Sequence, residues 1–316
     1  MKNFADILIE HSIKKNTALV VGLDPDITFF PDFLLSKTTY TIEEICNVIL
    51  EFNKLVIDEV CTHVVAVKPQ LAYYEIYGSL GIKALEKTLE YARSKNVLVI
   101  NDAKRGDIGP TSKAYANAFL TNRPLSGDMV TVNPFLGSDG YTPFIEVAQD
   151  NTKGLFLLLK TSNPSSVEIQ DLRVQNGELL YMHLAKEINT LAAATKGDNN
   201  YSFIGAVVGA TYPSDAKRVR ELLPHSIFLV PGLGVQGGKP EDLAEFFDEK
   251  GLGAVISSSR GITYSFCFNE KDEKWRSISK EQMSTSIAES TIKAKNQINE
   301  VRFKTTSKEY GLPQKV

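Results

Sequence analysis

The stretch that decides the fold is NVLVIND (96–102), a short apolar run that ends in polar residues. It is apolar at almost every position rather than at alternate ones, which is typical of a parallel strand buried on both faces. Other runs share this character, namely TALVVGLD (17–24), HVVAVKP (63–69), DMVTVNP (128–134), GLFLLLKT (154–161), FIGAVVGA (203–210), SIFLVPG (226–232) and GAVISSSR (253–260). Together they predict eight parallel strands.

The segments between these runs have helical periodicity. In residues 41–60, Ile45, Ile49 and Phe52 fall on one face, and Thr41 with Glu44 forms a capping-box pattern. Eight strands that alternate with helices favour an α/β protein of the (β/α)8 TIM-barrel type over an open doubly wound sheet. Such a barrel needs roughly 250 residues, so we expect one domain over 1–316 with added segments. These are a leading helix in 1–16, an insertion-like segment at 163–202, and a C-terminal helix and tail at 262–316.

The composition excludes several classes of protein. Lys and Arg number 35 against 38 Asp and Glu, a net charge of −3 that is not typical of a nucleic-acid binder. The three cysteines are too few and too scattered for a disulfide framework or a metal motif. There is no apolar run of signal-peptide or membrane-span length. We therefore expect a cytoplasmic protein that binds neither a nucleic acid polymer nor a membrane.

One short segment concentrates charge directly after the third strand. DAKRGDIG (102–109) carries Asp102, Lys104 and Asp107. Residues i and i+2 of an extended chain face the same side, so Asp102 and Lys104 should both point into the barrel mouth, where Lys68 joins them from the neighbouring strand. Opposite charges offset each other's desolvation and keep the cluster ionised. A purely structural ion-pair network is one alternative; a Mg²⁺ site on Asp102 and Asp107 is another, which the two lysines disfavour.

Further candidates lie after other strands. The glycine-rich stretch PGLGVQGG (231–238) follows strand seven and ISSSRG (256–261) follows strand eight. Loops at these places in barrels often bind phosphate through backbone N–H groups, and Arg260 could add a planar fork, although the glycine loop could equally be structural. Asn133 and Ser162 end strands four and five; each could line the pocket or simply begin the next segment.

These motifs resemble the orotidine 5′-phosphate decarboxylase family. The likeness covers roughly residues 17–261 and rests on an ordered set of stretches, GLDPD (22–26), VKP (67–69), DAKRGDIG (102–109), VNPFLG (132–137), TSNP (161–164), VPGLGVQGG (230–238) and Arg260. The chain length is similar to that of the longer, bacterial branch. The resemblance implies conversion of orotidine 5′-phosphate to UMP in pyrimidine biosynthesis, with no cofactor and no metal, by a homodimer with shared active sites.

The resemblance also implies roles for individual residues. Lys104 would protonate C6, Asp102 would lie beside the substrate carboxylate, and Lys68 would link the ribose to the charged network. Asp107 would reach across the dimer interface into the partner's site. Asp24 would bind the ribose hydroxyl, and Ile108 and Thr111 would accompany Asp107 at the partner's site. Ser162 and Pro231 would contact the pyrimidine, and Gln236 and Arg260 would bind the phosphate.

The sequence departs from the family pattern at Ser257-Ser258-Ser259, where a glycine-containing run is usual before the arginine. Two other functions fit the same barrel. A Mg²⁺-dependent sugar-phosphate decarboxylase or aldolase would share the Asp-Lys-Asp pattern, but such relatives tend to carry an acid in place of Lys68. A barrel that binds nucleotides without catalysis would not need the intact charged network.

Overall fold

Eight parallel strands close into one barrel in the computed structural model, which describes residues 2–210, 213–232, 240–268 and 273–303. Each strand pairs with the next along the chain, and the last pairs with the first. The strands are β1 (Leu19–Leu23), β2 (Ala66–Pro69), β3 (Leu98–Arg105), β4 (Met129–Val132), β5 (Gly154–Lys160), β6 (Ser202–Val208), β7 (Ser226–Pro231) and β8 (Ala254–Ser258). The predicted (β/α)8 barrel is confirmed.

α-Helices lie between most of the strands, one precedes β1, and a 3-10 helix at Pro240–Phe246 lies between β7 and β8. Within the described residues the α-helices are α1 (Phe4–Lys14), α2 (Ile42–Val60), α3 (Ala72–Glu75), α4 (Gly78–Ser94), α5 (Gly109–Leu120), α6 (Ser138–Asp150), α7 (Val167–Gln170), α8 (Leu180–Ala194), α9 (Pro213–Leu222), α10 (Arg260–Thr263), α11 (Ser265–Phe268) and α12 (Lys280–Arg302). In the described part of the chain, none is long and apolar enough to cross a membrane.

Helix α2 shows how local sequence sets an element. Thr41 Oγ1 accepts a hydrogen bond from the Glu44 backbone N–H at 3.2 Å, and the Glu44 carboxylate accepts one from the Thr41 N–H at 2.9 Å. This capping box satisfies donors that the first turn leaves free. The apolar side chains of Ile49, Phe52 and Val56 are buried against the barrel, as their spacing predicts.

Residues 163–202 contain α8, the barrel helix between β5 and β6. The residues additional to the barrel repeat therefore precede it, as a 3-10 turn at Pro164–Ser166, the short α7 and the stretch up to α8. At the other end of the barrel, α12 joins the end of α1. Lys295 Nζ donates to the Lys15 carbonyl and Asn299 Nδ2 to the Asn16 carbonyl, each at 2.9 Å.

Candidate active site

A cavity of about 610 Å³ opens at the carboxyl ends of the strands, the end at which barrels of this type carry their sites. Side chains from most of the strand ends converge on it. The lining residues that the sequence analysis singled out are Asp24, Lys68, Asp102, Lys104, Ser162, Pro231 and Arg260. Closure of the barrel therefore gathers residues that lie more than 200 positions apart in the sequence into one concave site.

Asp102 lies at the centre of the charged cluster. Its Oδ2 atom is 2.6 Å from Lys68 Nζ and also accepts a hydrogen bond from Gln70 Nε2 at 3.1 Å. Its Oδ1 atom is 2.5 Å from Lys104 Nζ and accepts a hydrogen bond from Thr131 Oγ1 at 3.1 Å. Each carboxylate oxygen thus has one ammonium group and one neutral donor, which fixes the position of both lysines.

The backbone that carries Lys104 is irregular. Lys104 has a φ of +47°, in the left-handed region, and the pairing of β3 with β4 shifts register between Asn101 and Arg105. The Lys104 N–H donates to Thr131 Oγ1 at 2.9 Å. Strained backbone of this kind persists only when its surroundings hold it, and it is concentrated at functional sites. Here the bulge sets the direction in which the Lys104 side chain enters the cavity.

Burial and charge act in opposite directions on the pKa values of the cluster. Burial alone would raise the pKa of Asp102, but the ammonium groups of Lys68 and Lys104 outweigh it and hold that pKa far below its usual range. Burial would lower the pKa of Lys68, but the carboxylates of Asp102 and Asp24 outweigh it, so the pKa is raised. Asp102 and Lys68 are therefore both charged at neutral pH.

Asp24 has a different environment. Burial raises its pKa, and Lys68 and the Ser259 hydroxyl offset only part of that rise. The Asp24 Oδ1 atom is buried and has no hydrogen-bond partner among the described residues. A buried acceptor without a partner costs free energy, so this oxygen is suited to a donor that arrives with a ligand.

Several lining residues escaped the sequence analysis. Gln70 has a signal that could have found it, since it stands two positions after Lys68 and so faces the same side. Thr131 has none, because its role depends on a neighbouring strand. Ser259 stands out in the sequence only as a departure from the family pattern, and its position beside Gly22 and Asp24 depends on how the ends of β8 and β1 meet. A Cβ atom on Gly22 would lie only 1.9 Å from Ser259 Oγ, so the glycine of β1 makes room for the serine that departs from the family pattern.

Tyr264 is another lining residue that the sequence analysis did not identify. The Tyr264 hydroxyl donates to the Asp24 carbonyl at 2.8 Å and accepts from the Asp26 N–H at 2.7 Å. Its ring is buried and stacks on Phe52, with ring centroids 5.5 Å apart. The segment after β8 therefore holds the loop that carries Asp24.

The phosphate-binding prediction falls partly outside the described residues. Gln236 lies there, as does most of the glycine-rich stretch that follows β7. At the described ends of β7 and β8, the residues Pro231, Gly232, Ser257 and Arg260 line one wall of the cavity. Arg260 is exposed at this wall, where its guanidinium is accessible to an anionic group.

Four predicted residues do not line the cavity and lie on a rim formed by the loops after β3 and β4 and the first turn of α5. They are Asp107, Ile108, Thr111 and Asn133. Asp107 is half-buried and its Oδ1 atom accepts the Ile108 N–H at 2.8 Å. Ile108 is 53 % exposed, and its rim neighbour Phe135 is 76 % exposed. Two large apolar side chains are therefore exposed to solvent in this region of the single chain.

Comparison with known proteins identifies the family. A model of the orotidine 5′-phosphate decarboxylase / HUMPS family matches residues 17–267. The chain belongs to this family. The match begins before β1 and ends after α10, so it contains all eight strands and every described residue of the charged cluster.

Individual relatives agree with this family. The chain is 43 % identical over 278 residues to the orotidine 5′-phosphate decarboxylase of Caldicellulosiruptor bescii, a match that covers 84 % of this chain and 91 % of the relative. It is 36 % identical over 292 residues to that of Clostridium perfringens, covering 92 % and 99 %. A solved orotidine-monophosphate decarboxylase of Toxoplasma gondii superimposes with a TM-score of 0.79 at 30 % identity, over 96 % of this chain and 97 % of that one.

Proposed function

We propose that this chain is a carboxy-lyase that converts orotidine 5′-phosphate to UMP and CO2 in pyrimidine biosynthesis, without a cofactor. The observation that carries the proposal is the placement of Lys68 and Lys104 on opposite oxygens of the Asp102 carboxylate. Relatives that match most of the chain bear the name of this enzyme. The proposal is supported by an exposed arginine, Arg260, in the cavity lining and by the ammonium group of Lys104 held beside Asp102, since the substrate carries a phosphate and a carboxylate.

Lys104 is the proposed proton donor. When the bond between C6 and the carboxylate breaks, its electron pair stays on C6 and CO2 leaves. A fixed ammonium beside that carbon stabilises the developing negative charge. Lys104 Nζ then transfers a proton to C6 to give UMP, and the lysine regains its proton from solvent. Its side chain is 46 % exposed, so water reaches it in the free enzyme.

Asp102 and Lys68 are proposed to act on the ground state and on the geometry. Because Asp102 remains ionised, it places negative charge beside the carboxylate of the substrate. The repulsion between the two carboxylates destabilises the bound substrate and disappears as CO2 departs. The Asp102 carboxylate also orients Lys104. Lys68 keeps Asp102 charged and is proposed to link the charged cluster to the ribose of the substrate. Asp24, with its unsatisfied oxygen, binds the ribose hydroxyl.

Binding energy comes from parts of the substrate that do not react. Ser162 and Pro231 are proposed to contact the pyrimidine. Asn133 is proposed to contact the substrate from the rim of the cavity. Arg260, together with Gln236 beyond the described residues, is proposed to bind the phosphate. Interactions remote from C6 can offset the cost of holding two carboxylates close together.

We also propose that residues 1–316 form a single domain that works in the cytoplasm as a homodimer. Ile108 and Phe135 are exposed apolar side chains beside the cavity mouth. Burial of such a patch against a second copy is favourable. It would bring Asp107, Ile108 and Thr111 of one protomer to the active site of its partner.

The decisive experiment follows the absorbance of orotidine 5′-phosphate with purified protein, in the presence and absence of EDTA. We expect the same rate of decarboxylation in both. Turnover that requires Mg²⁺ after EDTA treatment would favour a metal-dependent enzyme of the same family. UMP binding with no loss of substrate absorbance would favour a barrel that binds nucleotides without catalysis.

A further inference from the structure

Ser162 stands where the chain leaves the barrel after β5. It is half-buried and lines the cavity. A residue just beyond a strand has few ladder hydrogen bonds to define its backbone. The backbone of Ser162 is also set by the residues on either side of it, and Thr161 on one side is bound by the additional residues before α8.

Gln170, the last residue of α7, binds the residue before Ser162. Gln170 Oε1 accepts the Thr161 backbone N–H at 2.9 Å, and Gln170 Nε2 donates to Thr161 Oγ1 at 2.8 Å. Thr161 Oγ1 in turn donates to Asn163 Oδ1 at 2.7 Å. The Gln170 side chain thus accepts the backbone N–H of Thr161 and donates to its hydroxyl. The Thr161 hydroxyl in turn orients Asn163, on the other side of Ser162.

An ion pair keeps α7 against the strand. Lys160 at the end of β5 is completely buried, and its ammonium group binds the Asp171 carboxylate directly after Gln170. The same ammonium lies 5.1 Å from the centre of the Tyr181 ring. Separation of a buried charge from its partner is costly, so the ion pair stabilises Gln170 within reach of Thr161.

Gly209 packs closely against the backbone of Ser162. The Gly209 N–H donates to the Lys160 carbonyl at 2.7 Å. A Cβ atom at Gly209 would lie 2.8 Å from both the N and Cα atoms of Ser162. The backbone of Ser162 therefore packs directly against Gly209, just after β6, while Gln170 binds Thr161, the residue before Ser162.

We infer that Gln170 is a positioning residue that holds Ser162 against the pyrimidine of the substrate. The inference rests on the proposed contact between Ser162 and the pyrimidine. It assigns a task to the residues added between β5 and α8: they set the precision of base recognition, while the barrel itself carries the charged cluster.

The test is a double-mutant cycle of Gln170→Ala and Ser162→Ala. We measure kcat and KM for orotidine 5′-phosphate and the Kd of UMP by calorimetry. Gln170→Ala should lower kcat/KM about tenfold, or about 1.4 kcal/mol, and weaken UMP binding. In the Ser162→Ala background the same change should have almost no further effect, because the group that Gln170 positions is already absent.

The matched control is Glu168→Gln, an exposed residue on the same short helix. It should leave the kinetic constants and the melting temperature unchanged. If Gln170→Ala folds poorly, Gln170→Glu keeps the size of the side chain but removes the Nε2 donor to Thr161 Oγ1, and its loss of kcat/KM should also vanish in the Ser162→Ala background.

If the losses of kcat/KM and of UMP affinity in Gln170→Ala and Ser162→Ala are additive, the inference about Gln170 is overturned and the proposed function is not affected. Unchanged kinetics and UMP binding in Ser162→Ala would overturn both the inference and the proposed role of Ser162. A wild-type protein that binds UMP without turnover would overturn the decarboxylase proposal. The inference would still stand if the two effects on the Kd of UMP were non-additive.

Discussion

Lys68 Nζ lies 2.6 Å from Asp102 Oδ2, and both side chains are less than a tenth exposed. This pair links two adjacent strands at the base of the cavity. Its geometry explains why the pKa of Asp102 is lowered although burial acts in the opposite direction. The same contact supports both the stability of the barrel mouth and the charge state of the site.

Replacement of one partner of this pair should destabilise the protein. Asp102→Asn leaves the Lys68 ammonium buried without a full countercharge, which we expect to cost about 3 kcal/mol of unfolding free energy. Because the pKa of Asp102 is lower in the folded state, its contribution is present above the unfolded value of 3.8 and disappears as pH falls through the folded pKa. Denaturant unfolding of both proteins at neutral and acidic pH measures this, and equal stability at neutral pH would contradict it.

Asp24→Asn should have the opposite effect on stability. Burial raises the pKa of Asp24 in the folded state, so its charged form opposes folding increasingly as pH rises through that folded pKa. The variant should be about 1 kcal/mol more stable than the wild type at pH 8 and should bind UMP more weakly. Thermal melts measure the change in stability, and calorimetry measures the affinity for UMP. Tighter UMP binding by the variant would refute the proposed contact between Asp24 and the ribose hydroxyl.

Lys104→Ala should abolish turnover while the protein remains folded. Loss of the proton donor and of the fixed positive charge predicts a fall in kcat of at least about 10³-fold. Because Lys104 is more exposed than Lys68, the melting temperature should change little. Lys113→Ala, an exposed lysine on α5, is the control. Turnover by Lys104→Ala at the wild-type rate would exclude the proton-donor role.

Arg260→Ala should act through the phosphate. Loss of charge-assisted hydrogen bonds predicts a decrease of about 10- to 100-fold in kcat/KM for orotidine 5′-phosphate. The nucleoside orotidine, which lacks the phosphate, should react equally slowly with both proteins. Steady-state kinetics with the two substrates measure the difference. An equal loss with both substrates would mean that Arg260 does not bind the phosphate.

Ile108→Asp should prevent self-association. A charge placed in an apolar interface costs several kcal/mol when it is buried without a partner. Sedimentation velocity should therefore show a monomer, and the decarboxylation assay should show reduced activity. Ile13→Asp is a matched control, because Ile13 on α1 has the same exposure of 53 % and lies at the other end of the barrel. A wild-type protein that sediments as a monomer, or an Ile108→Asp variant that remains a dimer, would contradict the proposed interface.

Local sequence determined the barrel. Eight near-continuous apolar runs separated by helical segments favour a closed barrel over an open doubly wound sheet, and the strands do close into a barrel. Motif recognition also placed the charged residues correctly at strand ends, since in a parallel barrel all carboxyl ends lie on one side. Asp102 and Lys104 both line the cavity, as alternation along β3 predicted, although the left-handed backbone at Lys104 interrupts that alternation.

Only the tertiary structure decided how these groups are held. Thr131 in β4 and Ser259 just after β8 are distant in the sequence from the residues they contact, and no spacing rule relates Thr131 to Asp102 or Ser259 to Gly22. The left-handed backbone at Lys104 arises from a register shift between two strands, and the contact of Gln170 with Thr161 arises from how residues 163–179 fold back on β5. Such contacts depend on barrel closure and strand register, which are set by packing of the whole chain. Hydrophobic pattern fixes which elements form, whereas the distances of a few ångströms that govern charge and reactivity appear only when those elements meet.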